Sequence, residues 1–505
     1  MNKTPHILII GSGLGGLICG YILSKEGYRV TILEKHRKFG GNLQTFKRQG
    51  VEFDTGMHYI GSLDKGQVLH KCFNYYGFLG KVKCRRLDEN GFDRIFIKDK
   101  EYPYAMGYEN FVENAVKYFP GERNAINAYA DKIRQVTNSI NLYNLKEVET
   151  SQLLNVDSLN ENAFSYISSL TPNQRLQNYL SALNSLYAGE MDKTFMYVHA
   201  LINNHYIESA YRFVDGSEQV ADAFVESIKR NGGEVFNNQE VLKFVFDNNK
   251  NIKAVETKRG EVFHADRFIS NMHPYNTMKL VPDEMVRKVY KKRLQQLPNT
   301  ISSFAVYVVL KDKSMEYLNS NYYYYKDENV WGAEIYDKND WPQGFGLYPL
   351  ADSVDEEYTR GFSVMTYMDY DELKPWENTT VENRGEDYKE FKEEKAQKLL
   401  DLVEKRFPGI RGKIKAYYTS TPLTLRDYTG THRGSMYGIM RDCNNPNESY
   451  IFPRTKVPNL YLTGQNLNLH GMLGVSIGSL LTCGEFVGLN YLIRKINEEY
   501  QIEWV

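Results

Sequence analysis

At 505 residues the chain is long enough to bury a large core and to form two intertwined domains. Lysine plus arginine (62) almost balance aspartate plus glutamate (63), so the composition carries no electrostatic footprint for nucleic acid. The five cysteines (Cys19, Cys72, Cys84, Cys443 and Cys483) are scattered without CxxC spacing, which suits a reducing cytoplasm and excludes a zinc cluster or a dithiol centre, and no metal site is expected.

The first element is an unbroken apolar run, Ile7 to Ile10, the pattern of a central parallel strand buried on both faces. Too few residues precede it for a signal peptide, and a cytoplasmic location is expected. A glycine-rich turn follows, with Gly11, Ser12, Gly13, Gly15 and Gly16. Gly11 permits the tight turn, Gly13 lets the backbone approach a pyrophosphate, and Gly16 lets the next helix pack closely. That helix, from about Gly13 to Lys25, aims its free N–H groups and positive dipole end at the phosphates. Gly27 stops it, Tyr28 to Leu33 reads as the second strand, and Glu34 closes that strand with a carboxylate suited to ribose hydroxyls. A 2′-phosphate would be repelled there, which disfavours NADP in this pocket. The close-approach loop Phe39-Gly40-Gly41-Asn42, just past the acid, favours FAD over NAD.

Beyond the loop, Gly50 to Gly61 reads as a short strand entering a glycine-rich turn. From about Gly66 to Ser209 the pattern turns helical, as in FVENAVKYF. A helix stopped by Gly232-Gly233 and a strand meander about Arg259-Gly260 come next. Ile301 to Val309 is a further strand, and the tyrosine run 322–325 on a strand would place alternate rings on opposite faces. Glu386 to Arg406 reads as an amphipathic helix, and the charged stretch from Asp369 to Lys395 as a solvated face. Pro458 to Gly464 is a last buried strand, and Gly471 to Leu492 a glycine-interrupted helix. Its apolar run from Val475 is broken by Ser476, Gly478, Ser479 and Thr482, so no stretch reaches membrane-spanning length. The 39 tyrosines are the compositional outlier, fit for the walls of an apolar site.

Four segments in order, EFDTGMHYIG (52–61), NYYYY (321–325), HRGSMYG (432–438) and NLYLTGQNLNLHGMLGVSIGSLL (459–481), give the chain a resemblance to a known family. With the opening motif they resemble the FAD-dependent carotenoid and retinoid oxidoreductases, the group of phytoene desaturases, carotenoid isomerases and, most alike, retinol saturases. The pattern along the chain and this resemblance give an α/β fold, a discontinuous Rossmann-type FAD-binding domain (1–65, 210–300 and 441–505) with an inserted mixed α+β substrate domain, divided into an inserted helical unit (66–209) and a substrate domain (301–440). The resemblance further implies that Ser12, Gly13 and Gly16 hold the pyrophosphate, Glu34 and Lys35 the adenosine ribose, and Gly41, Asn42 and Leu43 the ribityl chain. Val241 would touch the adenine through its backbone, and Gly464, Gln465, Gly474 and Val475 would form a second clamp. The chain departs from the family at Asn466, where an aspartate is usual, so the charge beside the flavin is in question.

The implied activity is saturation of a double bond in a retinoid- or carotenoid-like polyene, with desaturation, isomerisation or a flavin-free carrier role as alternatives. Such a reduction needs a hydride and a proton, and His58, Tyr59 and His470 are the candidate acids near the flavin. Tyr323, Tyr325 and Arg433 are candidate substrate contacts. Amine oxidation on this scaffold would need an aromatic cage that the sequence does not locate. No second GxGxxG follows Glu34, so NAD(P)H as electron donor has no assignable site. An isoprenoid substrate must come out of lipid, so peripheral contact with the inner face of a membrane is expected through the inserted helical block.

Overall fold

The computed structural model describes residues 4–149, 160–467 and 469–502; part of the inserted block and Asn468 of the last motif lie outside them. The first apolar run forms the strand His6–Ile10, central in a five-stranded all-parallel sheet. The order is Glu234–Phe236, Arg29–Leu33, His6–Ile10, Arg267–Ser270, Leu460–Leu462, so the start, middle and end of the chain build one sheet. Both faces are covered, as the unbroken apolar run requires. Ile7 and Ile9 pack among side chains of the helices Leu14–Lys25, Glu218–Arg230 and Gly471–Val487. Leu8 and Ile10 pack on the opposite side with Phe244 and Val255 of the antiparallel meander that follows Val241.

A seven-stranded sheet forms the second layer system, in the order Ile414–Ser420, Ser302–Leu310, Gly361–Met368, Gly344–Pro349, Asn321–Tyr325, Asp93–Ile97, Lys100–Tyr104. Its strands pair antiparallel except Asn321–Tyr325 with Asp93–Ile97, which run parallel. The stretches 66–209 and 301–440 therefore share one sheet rather than lying side by side. Period-two alternation sorts the tyrosine run as expected. Tyr323 and Tyr325 face a core shared with the inserted helices, whereas Tyr322 and Tyr324 face a second core containing Phe96 and Phe345.

The insert packs the helices Tyr108–Tyr118, Arg123–Ser139, Ala163–Leu170, Gln174–Ser181 and Met196–Glu208 on that sheet through an aromatic core. Two expectations need correction. The C-terminal helix is not one but two, Gly471–Val487 and Leu489–Ile502, bent by 117° at Gly488, whose φ of 91° ends the first helix. The charged stretch is not uniformly solvated either. The helix Glu386–Arg406 forms over the residues expected, but it turns Lys395 inward onto Glu372 of the segment Tyr370–Trp376. Among the described residues no single helix is long and apolar enough to cross a membrane.

Candidate active site

The dinucleotide end is built where three backbone segments converge at the carboxyl ends of the parallel strands. Gly11 takes φ 93° in the turn after the first strand. A Cβ on Gly16 would lie 2.1 Å from the Gly11 carbonyl oxygen, so the tight contact is with the turn itself. A Cβ on Gly15 would lie 2.7 Å from the Gly464 Cα, and one on Gly41 3.1 Å from the Gly13 Cα. The loop Gly41–Leu43, the first helix and the turn after the last strand are thus locked backbone to backbone. Helix Leu14–Lys25 starts at Gly13 with no side-chain cap, and helix Gly471–Val487 starts at His470 with none. Two helix N-termini without side-chain caps therefore open on one cleft, an arrangement that receives anionic or carbonyl oxygens.

Glu34 is buried, and one carboxylate oxygen accepts from the Ser12 N–H (2.9 Å) and hydroxyl (2.6 Å) while the other accepts from the His36 N–H (3.0 Å). A carboxylate offers about four acceptor positions, so capacity for a ribose hydroxyl is left. Gln239, two residues before Val241, donates its N–H to the Glu34 carbonyl at 2.7 Å, which sets the meander beside the acid. The Val241 side chain itself packs in the core under the sheet. The Lys35 ammonium donates to the Asp427 carbonyl at 2.8 Å. At the second clamp Gly464, Gln465, Asn466, Gly474 and Val475 all line the cleft. The Asn466 side-chain oxygen accepts from the Ile439 N–H at 3.1 Å, so this residue pins the neighbouring loop. The site fits a dinucleotide: convergent glycines, two uncapped helix starts and a buried acid at the second strand.

From there the cleft runs on between the two sheets, with about 2140 Å³ of empty space including its open mouth. Tyr59, Tyr206, Tyr323, Tyr325, Tyr348, Tyr367 and Tyr437 line it together with Leu201, Ile202 and Met365, and an aromatic wall is therefore present. Among the described residues that line it there is no aspartate, glutamate, lysine or arginine.

His58 lies in this wall, its ring stacked 4.4 Å from that of Tyr348 and its Nε2 2.9 Å from the Met365 sulfur. A thioether only accepts, so Nε2 carries the proton and the buried Nδ1, which has no partner, is a bare acceptor. Burial, helped by the Arg212 charge, pulls its pKa down to about 4. His470 donates from Nε2 to the Leu186 carbonyl at 2.8 Å, packs on Tyr437, and burial holds it at about 4 as well. Burial thus favours the neutral form of both imidazoles. Tyr59 keeps its proton, because burial and the Asp93 carboxyl push its pKa well up, and it donates to Asp93 at 2.8 Å. Arg433 does not line the cleft: its guanidinium pairs with Asp371 and lies 4.9 Å over the Tyr370 ring. Tyr325 lines the cleft while its hydroxyl donates to the Ala182 carbonyl.

A family model described as flavin containing amine oxidoreductase matches residues 14–475. The chain belongs to that family. It is an FAD-dependent oxidoreductase. An all-trans-retinol 13,14-reductase of Danio rerio is 30% identical over 96% of this chain and 87% of its own length. A 4,4′-diapophytoene desaturase of Methylomonas sp. is 25% identical over 87% of this chain and 86% of its own. The solved cyclohexylamine oxidase of Brevibacterium oxydans IH-35A superposes with a TM-score of 0.59, covering 99% of this chain and 100% of that one at 14% identity, which speaks for the fold.

Several lining residues of this flavoenzyme escaped the sequence reading. Asn271, beside Gly11, Gly13 and Gly464, follows the fourth parallel strand, where a polar residue at a strand's carboxyl end is a usable signal. Tyr348 and Tyr367 sit on neighbouring strands, Gly344–Pro349 and Gly361–Met368, whose cleft-facing parity is set by their pairing. Tyr206 carries no local signal, whereas Tyr437 belongs to the HRGSMYG segment (432–438).

Proposed function

We propose that this chain saturates a carbon–carbon double bond of a retinoid- or carotenoid-like polyene. The observation that carries the reading is a long tyrosine- and aliphatic-walled cleft, continuous with the dinucleotide end, whose described lining contains no charged residue. Such a wall suits an uncharged apolar chain and offers no counter-ion for an alkylammonium substrate. The retinol reductase relative supports the same substrate class. When bound, FAD in its reduced form supplies the hydride. The chain's own residues do the rest. Gly13, Gly15, Gly41 and Gly464 bring the backbone close, Tyr323, Tyr348, Tyr367 and Tyr437 orient the polyene, and the apolar walls exclude water.

The desaturase relative favours a second reading, hydride removal from the same kind of substrate. Anaerobic mixing decides between them. Dithionite-reduced holoenzyme with all-trans-retinol in phosphatidylcholine vesicles is expected to regain oxidised-flavin absorbance and yield a product two hydrogens heavier. Bleaching of the oxidised enzyme by polyene, with reduced enzyme left unchanged, would overturn saturation in favour of desaturation. The same vesicles test our proposal that the protein works as a peripheral membrane protein on the cytoplasmic side. Among the described residues of 66–209 one large apolar side chain is over a third exposed, Tyr118 at 37%, and the substrate-side block 301–440 adds Ile335, Val354, Val381 and Tyr428. Co-flotation with the vesicles is expected, and a wholly unbound fraction would overturn that proposal.

A further inference from the structure

A hydrogen-bonded file of hydroxyls leads out of the cleft to a buried carboxyl that no lining residue announces. The Tyr348 hydroxyl donates to that of Tyr323 at 3.3 Å. Tyr323 and Tyr59 share a hydrogen bond at 2.8 Å, and Tyr59 donates to Asp93 Oδ2 at 2.8 Å. The three rings come from the Gly344–Pro349 strand, the Asn321–Tyr325 strand and the EFDTGMHY turn, and all three line the cleft. Asp93 stands behind them at the start of its strand, fully buried. Its other oxygen accepts from the Asn321 amide at 2.8 Å, and Arg212 reaches the Asn321 side-chain oxygen at 2.8 Å instead of the carboxyl. An amide therefore stands between the acid and the buried guanidinium that faces it.

We propose that Asp93 is the proton reservoir of the cleft, and that Tyr59, Tyr323 and Tyr348 pass its proton to the substrate carbon that does not receive the hydride. The inference rests on the saturation reading above. The π bond opens and one carbon takes the hydride, which carries both electrons from the reduced flavin. The hydrogen bonds above are those of the carboxylate form; with Asp93 protonated on Oδ2 the hydroxyls rotate so that Asp93 donates to Tyr59, Tyr59 to Tyr323 and Tyr323 to Tyr348, and the other carbon takes its proton from Tyr348, which is replenished along that file. Asp93 ends as a carboxylate and recovers its proton from solvent along the same file once product has left. Tyr348, next to His58, is the residue that touches substrate; Asp93 and Tyr59 act through it.

The environment keeps the reservoir loaded. Burial lifts the Asp93 pKa to about 7, against the hydrogen bonds from Asn321 and Tyr59 and the charge of Arg212. Tyr104, Tyr206, Tyr325 and Tyr348 are within electrostatic reach of it, and burial keeps each of them protonated near neutrality. Hydroxyls that needed only a buried acceptor would be served as well by an asparagine, which cannot release a proton.

Two measurements on purified holoenzyme test this. Infrared difference titration without substrate, wild type against Asp93→Asn, is expected to show a protonated carboxyl stretch that fades as pH rises through about 7 and is missing from the variant. Single-turnover reoxidation of reduced enzyme by all-trans-retinol is expected to slow as pH rises through the same range. Tyr323→Phe breaks the file yet keeps the acid, so it retains the infrared band and guards against misfolding of Asp93→Asn. Both variants should bind FAD normally, lose about 100-fold in rate and lose the pH dependence. A wild type that turns over while Tyr323→Phe matches its rate and pH profile overturns the relay alone. A wild type that never reoxidises with polyene removes the saturation reading and the relay with it.

Discussion

Lys395 donates to Glu372 at 2.6 Å with both side chains no more than 5% exposed, and its ammonium lies 4.5 Å over the Trp341 ring. Glu372 has one further donor, the Tyr336 hydroxyl at 2.6 Å. Lys395→Met would strand a buried carboxylate, a change that costs about 3–5 kcal/mol. We expect a marked drop in the denaturant midpoint of Lys395→Met, whereas Lys398→Met, whose partner Glu394 is 60% exposed, should stay near wild type. Equal midpoints would refute a buried role for this pair. In the sequence both lysines belong to one run of charges, and only the arrival of Trp341 and Glu372 from other segments tells them apart. The same limit explains Arg433, which reads as a substrate anchor until Asp371 is seen beside it. Glycines at the cofactor end were legible because a backbone contact leaves its mark on residue identity. The acid was not, because Asp93 is one carboxylate among many until the fold buries it.

At the scale of elements, the parallel strands and their covering helices could be read from local pattern, since burial on both faces leaves apolar runs such as Ile7 to Ile10. The seven-stranded sheet could not, because Asp93–Ile97 meets Asn321–Tyr325 across more than 200 intervening residues. Pairing of that kind sets which tyrosines face the cleft, so the cleft was legible only at its glycine end. The final helices show where local pattern misleads: their apolar periodicity runs on past Val487, and the break depends on a single backbone conformation at Gly488. A Cβ there would come no nearer than 3.8 Å to Tyr491, so space is not the obstacle. Gly488→Ala should therefore cost about 1–3 kcal/mol through its positive φ alone, read as a lowered unfolding midpoint with full FAD content. An unchanged midpoint would mean that the bend is held by packing.

Across the whole molecule, burial sets the response to acid. His58, His273 and His470 are held at about 4, and His199 and His205 at about 3, all below the ordinary 6.5. As pH falls below 6.5 the unfolded chain takes up protons that these folded imidazoles refuse, so stability declines until about pH 4. Asp54 at about 6, Asp93 at about 7 and Glu334 at about 7 act in the opposite sense, since the folded state binds their protons first and gains as pH falls. Five histidines outweigh three carboxyls with comparable displacements. Thermal unfolding of the holoprotein should accordingly begin at progressively lower temperature from pH 6.5 to pH 4, and a level or rising midpoint would contradict this balance. The parallel sheet has a further consequence, for the order of events at the ribosome. Its first strand is His6–Ile10 and its last Leu460–Leu462, with the second uncapped helix start beyond at Gly471. At about 5–20 residues per second, tens of seconds separate the two ends. The nascent chain exposes a half-built nucleotide cradle throughout that interval, and FAD can join only as the final staple of an otherwise assembled protein.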